Sequence, residues 1–367
     1  MARRRHERGP GPRRRRRATA PRHRRRGGLV KRLLTVGALL VPLVAAGCVA
    51  GPAPAPAPAE QDREGVGHQT ADELIRVTEP HVLSGGTLLE GPVFDDEGRL
   101  FLVDVMAPPG EPKVLRVDVG EETVEAIYTD EASVFTSAQI SPADGRLYLT
   151  DGLGGSVQSM LLDGTDPRTL FSGDIDGTAM LPDDLAFDPE GNLYISDIRG
   201  VEGPGWETLG RVVRVSAEGD ATVLASDLAS PNGISFDEDY AGLWVAQYYA
   251  NRIDYFALDE TRTEVTAAYP GMYVDGGKAR VDSTAVDADG NVYQGFHLKP
   301  EIHVYSPKGD LLAVIAVPED APDLDTATNI AIEPGTTDGV ITVSGPDGGY
   351  LYTFEALAEG TRQSNGG

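Results

Sequence analysis

From Leu83 to Phe354 the chain is a succession of short apolar runs broken by polar turns, and long amphipathic helical patterns are nearly absent. The runs are rich in β-branched and aromatic residues, which suit a pleated, half-buried surface. One arrangement recurs: an apolar run, a turn containing Asp and Gly, then a second apolar run. It stands at Val93–Phe101, Ile140–Tyr148, Ala186–Tyr194 and Ala285–Tyr293, with a longer turn at Phe236–Trp244 and a degenerate copy at Ile332–Ile341. The turn glycines are Gly98, Gly145, Gly191, Gly242, Gly290 and Gly339, spaced by 47, 46, 51, 48 and 49 residues. Each copy predicts a hairpin whose Gly takes the left-handed conformation that other residues resist. A third strand is expected after each hairpin, at Val114–Val117, Val157–Leu161, Val212–Val215, Ile253–Phe256, Ile302–Tyr305 and Tyr350–Phe354.

Four-stranded units at this period are propeller blades, and six copies predict an all-β, six-bladed β-propeller over residues 71–358. Residues near Asp72 to Leu83 are expected to add a strand to the last blade and close the ring. A pair of β-sandwiches is the alternative, and the regular spacing argues against it. Residues 359–367 read as a disordered tail.

The beginning of the chain is different. Residues 1–47 carry fifteen Lys/Arg and one acidic residue, Glu7, and end in an apolar stretch from Leu33 to Gly47. This reads as an export signal, too short to span a bilayer comfortably, which takes roughly twenty residues. Cys48 follows at once and is the only cysteine. The run Ala45-Ala46-Gly47-Cys48 resembles a bacterial lipobox without its usual Leu, so Cys48 is expected to be lipidated; cleavage nearby, leaving a free thiol, is the alternative. Arg25-Arg26 is a weak twin-arginine signal in so Arg-rich a segment. Residues 48–70 then form a linker in which Pro and Ala alternate from Gly51 to Ala59, a semi-rigid spacer suited to a tethered domain. The expected location is the bacterial cell envelope, on the outer face of the membrane and held only through the lipid, or free after secretion.

Without residues 1–47, the 32 basic and 57 acidic residues fall to 17 and 56, a net charge near −39. That excludes nucleic-acid binding through phosphate contacts and favours solubility and cations. The fold has no disulfide to lean on. A monomer is expected.

The hairpin register places candidate chemistry. Counting back eight residues from the turn Gly gives Glu90, Ser137, Asp183 and Asp282; counting ten back in the two longer turns gives Asn232 and Asn329. Equivalent positions on the innermost strands of a propeller form one ring around the axis. Three carboxylates in such a ring repel unless a cation neutralises them. Oxygen donors of this kind suit Ca2+, or another divalent cation, and the ring contains no His or thiolate to favour zinc.

These residues resemble the senescence-marker-protein/gluconolactonase family, nearest its drug-responsive lactonase branch. The likeness is carried by Glu90-Gly91-Pro92, Asp183-Asp184 before Phe187-Asp188, Ser196-Asp197-Ile198-Arg199-Gly200, Pro231-Asn232-Gly233, Leu243-Trp244-Val245 with Ala250-Asn251-Arg252, and Asp282-Ser283. The resemblance implies a six-bladed propeller with a catalytic calcium held by Glu90, Asp183, Asn232, Asp282 and Ser283. It also implies a second calcium near Asp174 and Thr178, although the loop is altered there and Met180 replaces a usual Tyr. The implied activity is hydrolysis of a small-molecule lactone or ester, with Asp282, and next Asp183, moving the proton. His297, His303 and His81 are runner-up shuttles, and Trp206 is a candidate lid over the funnel. No Gly-x-Ser-x-Gly elbow, His-Glu-x-x-His or phosphate loop occurs. Asp287-Ala288-Asp289-Gly290 reads as a hairpin turn, since the downstream Glu and flanking helices of a calcium-binding helical loop are missing. Two other readings stand beside hydrolysis: a tethered binding or scaffold module with a structural calcium, and an isomerase or lyase on the same ring.

Overall fold

The computed structural model describes residues 65–362. The expected export segment, Cys48 and residues 48–64 of the linker lie outside the described residues, as do residues 363–367. Twenty-seven strands and no α-helix occur among the described residues.

Four sheets each contain four consecutive antiparallel strands, leading with Leu89–Phe94, Phe135–Ile140, Pro182–Phe187 and Pro231–Phe236. Asp174–Ile175 and Thr178–Ala179 pair as a two-stranded sheet, and a nine-stranded sheet holds the rest. One part runs from Arg280–Val286 through Val292–His297 and Glu301–Tyr305 to Leu311–Ala316; the other runs from Thr326–Ile332 through Asp338–Gly345 to Gly348–Glu355. The two parts meet at one pairing, Phe296 with Ala327. Asp72–Thr78 adds antiparallel to Gly348–Glu355, as expected. Gly67–Thr70, at the end of the expected linker, is a strand parallel to Leu311–Ala316.

The strand pattern explains the core. In Arg99–Asp104 successive side chains point to opposite faces. Leu100 and Leu102 pack with Ala331, Val340 and Leu351 on one side. Phe101 and Val103 pack with Phe135, Leu147 and Leu149 on the other. Every core cluster likewise joins two consecutive four-strand runs, and the last run packs on the first. The six leading strands touch one another in a closed cycle, each its neighbours in sequence order, with Thr326–Ile332 against Leu89–Phe94.

The repeated Asp holds the hairpin turns. Asp95, Asp188 and Asp287 are buried, and each Oδ1 accepts two backbone N–H groups of its turn at 2.8–3.1 Å. Asp287-Ala288-Asp289-Gly290 is thus a hairpin turn. Gly98, Gly145, Gly191 and Gly290 take positive φ as expected, but Gly242 and Gly339 do not. In those longer turns Tyr240 (φ 58°) and Gly335 (φ 79°) take the left-handed position. Gly242 and Gly339 serve instead as space: a Cβ would fall 2.4 Å from the Tyr255 ring and 2.3 Å from that of Phe354.

Candidate metal centre

The six leading strands share an irregularity. Pairing with the second strand shifts register between Glu90 and Val93, Phe135 and Ser137, Pro182 and Leu185, Pro231 and Ile234, Val281 and Thr284, and Ala327 and Asn329. A bulge re-aims side chains that a regular strand would send to opposite faces. Glu90, Asp183, Asn232 and Asp282 all lie at this shift. Two glycines let neighbouring leading strands approach there. A Cβ on Gly91 (φ 59°) would lie 2.3 Å from the Ala138 nitrogen, and one on Gly233 would lie 2.5 Å from the Asp282 carbonyl oxygen.

All four residues are buried, Glu90 and Asp282 at 5% and 1% exposure. Oxygens of Glu90 and Asp282 and a nitrogen of His297 lie within 4.8 Å of one another. His297 Nε2 is 2.8 Å from Asp282 Oδ2. Asn232 sits beside Asp282 through the Gly233 contact, and its Oδ1 is buried with no hydrogen-bond partner among the described residues.

The charges betray the crowding. Burial pushes the Glu90 carboxyl well above the usual range, and Asp282, Asp183, Asp184 and Asp104 push it further. Burial and then Asp282 raise Asp183 to about 8, partly offset by His297. Burial and Asp183 raise Asp184, and the neighbouring Ser283 and Ser137 hydroxyls offset part of that rise. Burial pushes the His297 imidazole down, but the charge and hydrogen bond of Asp282, with Asp183 and Asp325, outweigh it and leave it above its ordinary value. Buried carboxylates at this density, with an unbonded amide oxygen beside them, suit a hard divalent cation.

The remaining expected residues are distributed differently. The Ser283 hydroxyl accepts a 2.6 Å bond from Asn329 Nδ2 and faces Asp184, so it braces the ring from behind. Asp174 and Thr178 lie in the hairpin Asp174–Ile175/Thr178–Ala179. Arg211, paired with Asp197, donates to the Ile175 and Thr178 carbonyls at 3.1 and 3.5 Å. A guanidinium therefore already serves those oxygens. His81 pairs with the buried Asp104 at 2.8 Å, and His303 with Glu301 at 2.6 Å. Trp206 is 82% exposed in its loop. A cavity of about 380 Å³ opens at the opposite, turn end, lined by Phe94, Ile140, Phe187 and Phe236 and by none of Glu90, Asp183 and Asp282.

His297, expected only as a runner-up shuttle, reaches the centre from the end of the second strand Val292–His297, outside the leading-strand ring. The pairing of Arg280 with His297 puts that residue across from the Asp282 bulge, a position that counting along the second strands identifies. Asp184 was visible only as the neighbour of Asp183; its burial comes from the bulge.

Residues 88–332 match the family described as the SMP-30/gluconolactonase/LRE-like region. The chain is 30% identical over 287 residues to "Lactonase drp35" of Staphylococcus saprophyticus, covering 75% of this chain and 85% of that protein. The protein of the same name from Staphylococcus aureus is 28% identical over the same shares. Among solved structures, regucalcin from Agrobacterium tumefaciens, titled a calcium-binding protein, superposes with a TM-score of 0.63 at 18% identity, over 81% of this chain and 99% of that one. A gluconolactonase from Xanthomonas campestris superposes with a TM-score of 0.61 at 21% identity, over 78% and 97%. These structures share the all-β, propeller-type fold.

Proposed function

The chain belongs to the SMP-30/gluconolactonase/LRE-like family, and from that premise we propose that it is a calcium-dependent hydrolase opening lactones at the centre of a six-bladed β-propeller. The blade count takes the nine-stranded sheet as two blades joined at the Phe296–Ala327 pairing. The observation that carries the proposal is the meeting of Glu90, Asp282 and His297 within 4.8 Å, with the Asp183 carboxyl raised by the Asp282 charge and the buried Asn232 Oδ1 without a hydrogen-bond partner among the described residues.

Glu90, Asp183, Asn232 and Asp282 would hold the ion. Ca2+ bound there supplies polarisation of the lactone carbonyl and stabilisation of the developing oxyanion. Asp282 takes a proton from the attacking water as its oxygen bonds to the carbonyl carbon. His297, paired with the same carboxylate at 2.8 Å, steadies the shuttle and passes the proton to the ring oxygen as the C–O bond breaks, releasing a hydroxy acid. Asp183 stands second for the proton and Ser283 keeps Asp184 and Asn329 in place. As part of the same proposal, the protein is a monomer, exported and held at the cell envelope by a lipid on Cys48.

Turnover of a lactone panel by residues 65–367, with and without chelator, tests this. Hydrolysis that chelator abolishes and Ca2+ restores is expected. Saturable Ca2+ binding with no turnover of any lactone would refute the enzyme and leave a binding module.

A further inference from the structure

The place from which His297 reaches the metal centre recurs one run earlier in the chain. Arg280, two residues before Asp282, pairs with His297. Ser230, two residues before Asn232, accepts the Tyr248 backbone N–H at 3.1 Å. Tyr248 follows directly on the second strand Gly242–Gln247, so it stands in its run where His297 stands in the next. The two side chains meet: the Tyr248 ring is edge-on to His297, with centroids 5.8 Å apart. His297 in turn touches the Asp282 carboxylate at 2.8 Å.

Tyr248 is clamped on its other side by Tyr249, edge-on at 5.2 Å. Tyr249 is itself fixed: its hydroxyl donates to the Val201 carbonyl, and the Arg280 guanidinium caps its ring at 5.4 Å. The Tyr248 ring is therefore held in one orientation, yet its hydroxyl makes no hydrogen bond among the described residues. A half-buried phenol ordinarily finds a partner, so an unused one calls for a reason. Burial, and then the charge of Asp282 with Asp183 adding to it, holds this phenol above its ordinary pKa, so it keeps its proton. The hydroxyl feels both carboxylates and bonds to neither. That leaves room between them for an oxygen of a bound molecule.

We infer that the Tyr248 hydroxyl donates a hydrogen bond to the carbonyl oxygen of the substrate and is a catalytic residue for ring opening. The inference rests on the lactone-opening reading. As the water oxygen bonds to the carbonyl carbon, the C=O π pair moves onto the carbonyl oxygen. The phenol O–H meets that charge as it forms and transfers no proton. When the carbonyl re-forms, the pair returns and the ring C–O bond breaks. Asp282 and His297 move the protons; Tyr248 only stabilises the oxyanion. A donor held in place beforehand spends nothing on reorientation when the charge appears. It binds an oxyanion more strongly than a neutral carbonyl, so it acts on kcat and hardly on KM.

The test compares the Ca2+-loaded protein with Tyr248→Phe, which keeps the ring between its neighbours and removes only the hydroxyl. δ-Valerolactone and dihydrocoumarin are the probes: the first releases an alkoxide oxygen and the second a phenolate, while both build the same carbonyl oxyanion. Loss of one oxyanion donor typically lowers kcat by about a hundred- to a thousandfold, and with a cation sharing the charge a fall of at least about tenfold on both lactones is expected. KM should stay within about twofold, and the rise in melting temperature on adding Ca2+ should be unchanged. An unchanged kcat, or a KM effect alone, would remove Tyr248 from catalysis and leave lactone hydrolysis standing. A fall confined to δ-valerolactone would assign the hydroxyl to the leaving oxygen and overturn the oxyanion role. A lost Ca2+ shift in Tyr248→Phe would mean that the residue acts through the ion, which also overturns it. If the wild type turns over neither lactone, the hydrolase and the donor fall together.

Discussion

Glu90→Gln separates metal binding from mere packing, because it should act with opposite signs in the presence and absence of the ion. Oxygens of Glu90 and Asp282 lie within 4.8 Å, and at an effective dielectric of about 20 two charges at that distance repel by roughly 3 kcal/mol. Burial and four neighbouring carboxylates raise the folded-state pKa of Glu90 above its unfolded value. The sign follows: the folded state binds the extra proton, so stability is present at low pH and is lost as pH rises through the folded pKa. With chelator at pH 9, Gln relieves the repulsion and should raise the melting temperature by about 6 °C, at roughly 2 °C per kcal/mol for a domain this large. At pH 5, where Glu90 is already protonated in the fold, the two proteins should melt together. Wild type in Ca2+ at a hundred times Kd gains about 2.7 kcal/mol, and Glu90→Gln should gain far less. Melts by circular dichroism at both pH values, with chelator and with Ca2+, make the measurement. A Gln variant that is less stable in chelator at pH 9, or that keeps the full Ca2+ shift, would refute the charge-crowded centre.

Three further outcomes follow from the geometry. Asp282→Asn should lower lactone kcat by about a hundredfold or more, the usual weight of a general base, and an unchanged rate would remove Asp282 from the proton path. His297→Gln should lower kcat by about tenfold with KM nearly constant and flatten the pH profile; a KM effect alone would make it a binding residue. Gly233→Ala forces a Cβ to within 2.5 Å of the Asp282 carbonyl, so a loss of about 1–3 kcal/mol is expected, together with a smaller Ca2+ shift in thermal melts; a full shift would show that Asn232 does not help hold the ion.

The strand order was legible in the sequence because each run must bury both faces between its neighbours. Leu100 with Leu102 and Phe101 with Val103 therefore read as continuous apolar stretches, and the Asp-Gly turns punctuate them. The depth of Glu90, Asp183 and Asp282 was legible as an offset of eight residues from those turns, and that of Asn232 as ten from its longer turn. What register could not supply is the bulge. Period-two alternation assigns Asp183 and Asp184, or Asp282 and Ser283, to opposite faces, yet each pair straddles a shift that only the pairing with the second strand reveals. His297 could be named from the sequence only as a runner-up shuttle, because its partnership with Asp282 is made across strands.

The strand Asp72–Thr78 finds its partner in Gly348–Glu355, some 280 positions further on. The architecture is therefore a circle that the polypeptide happens to enter at one seam. Almost the whole chain must be synthesised before that seam can be sewn, so a ribosome-bound chain remains an open arc with two raw sheet edges. Reopening the circle at another interface, by joining the old seam and cutting between two other runs, would leave the central donors where they are while changing which edge waits longest to be covered.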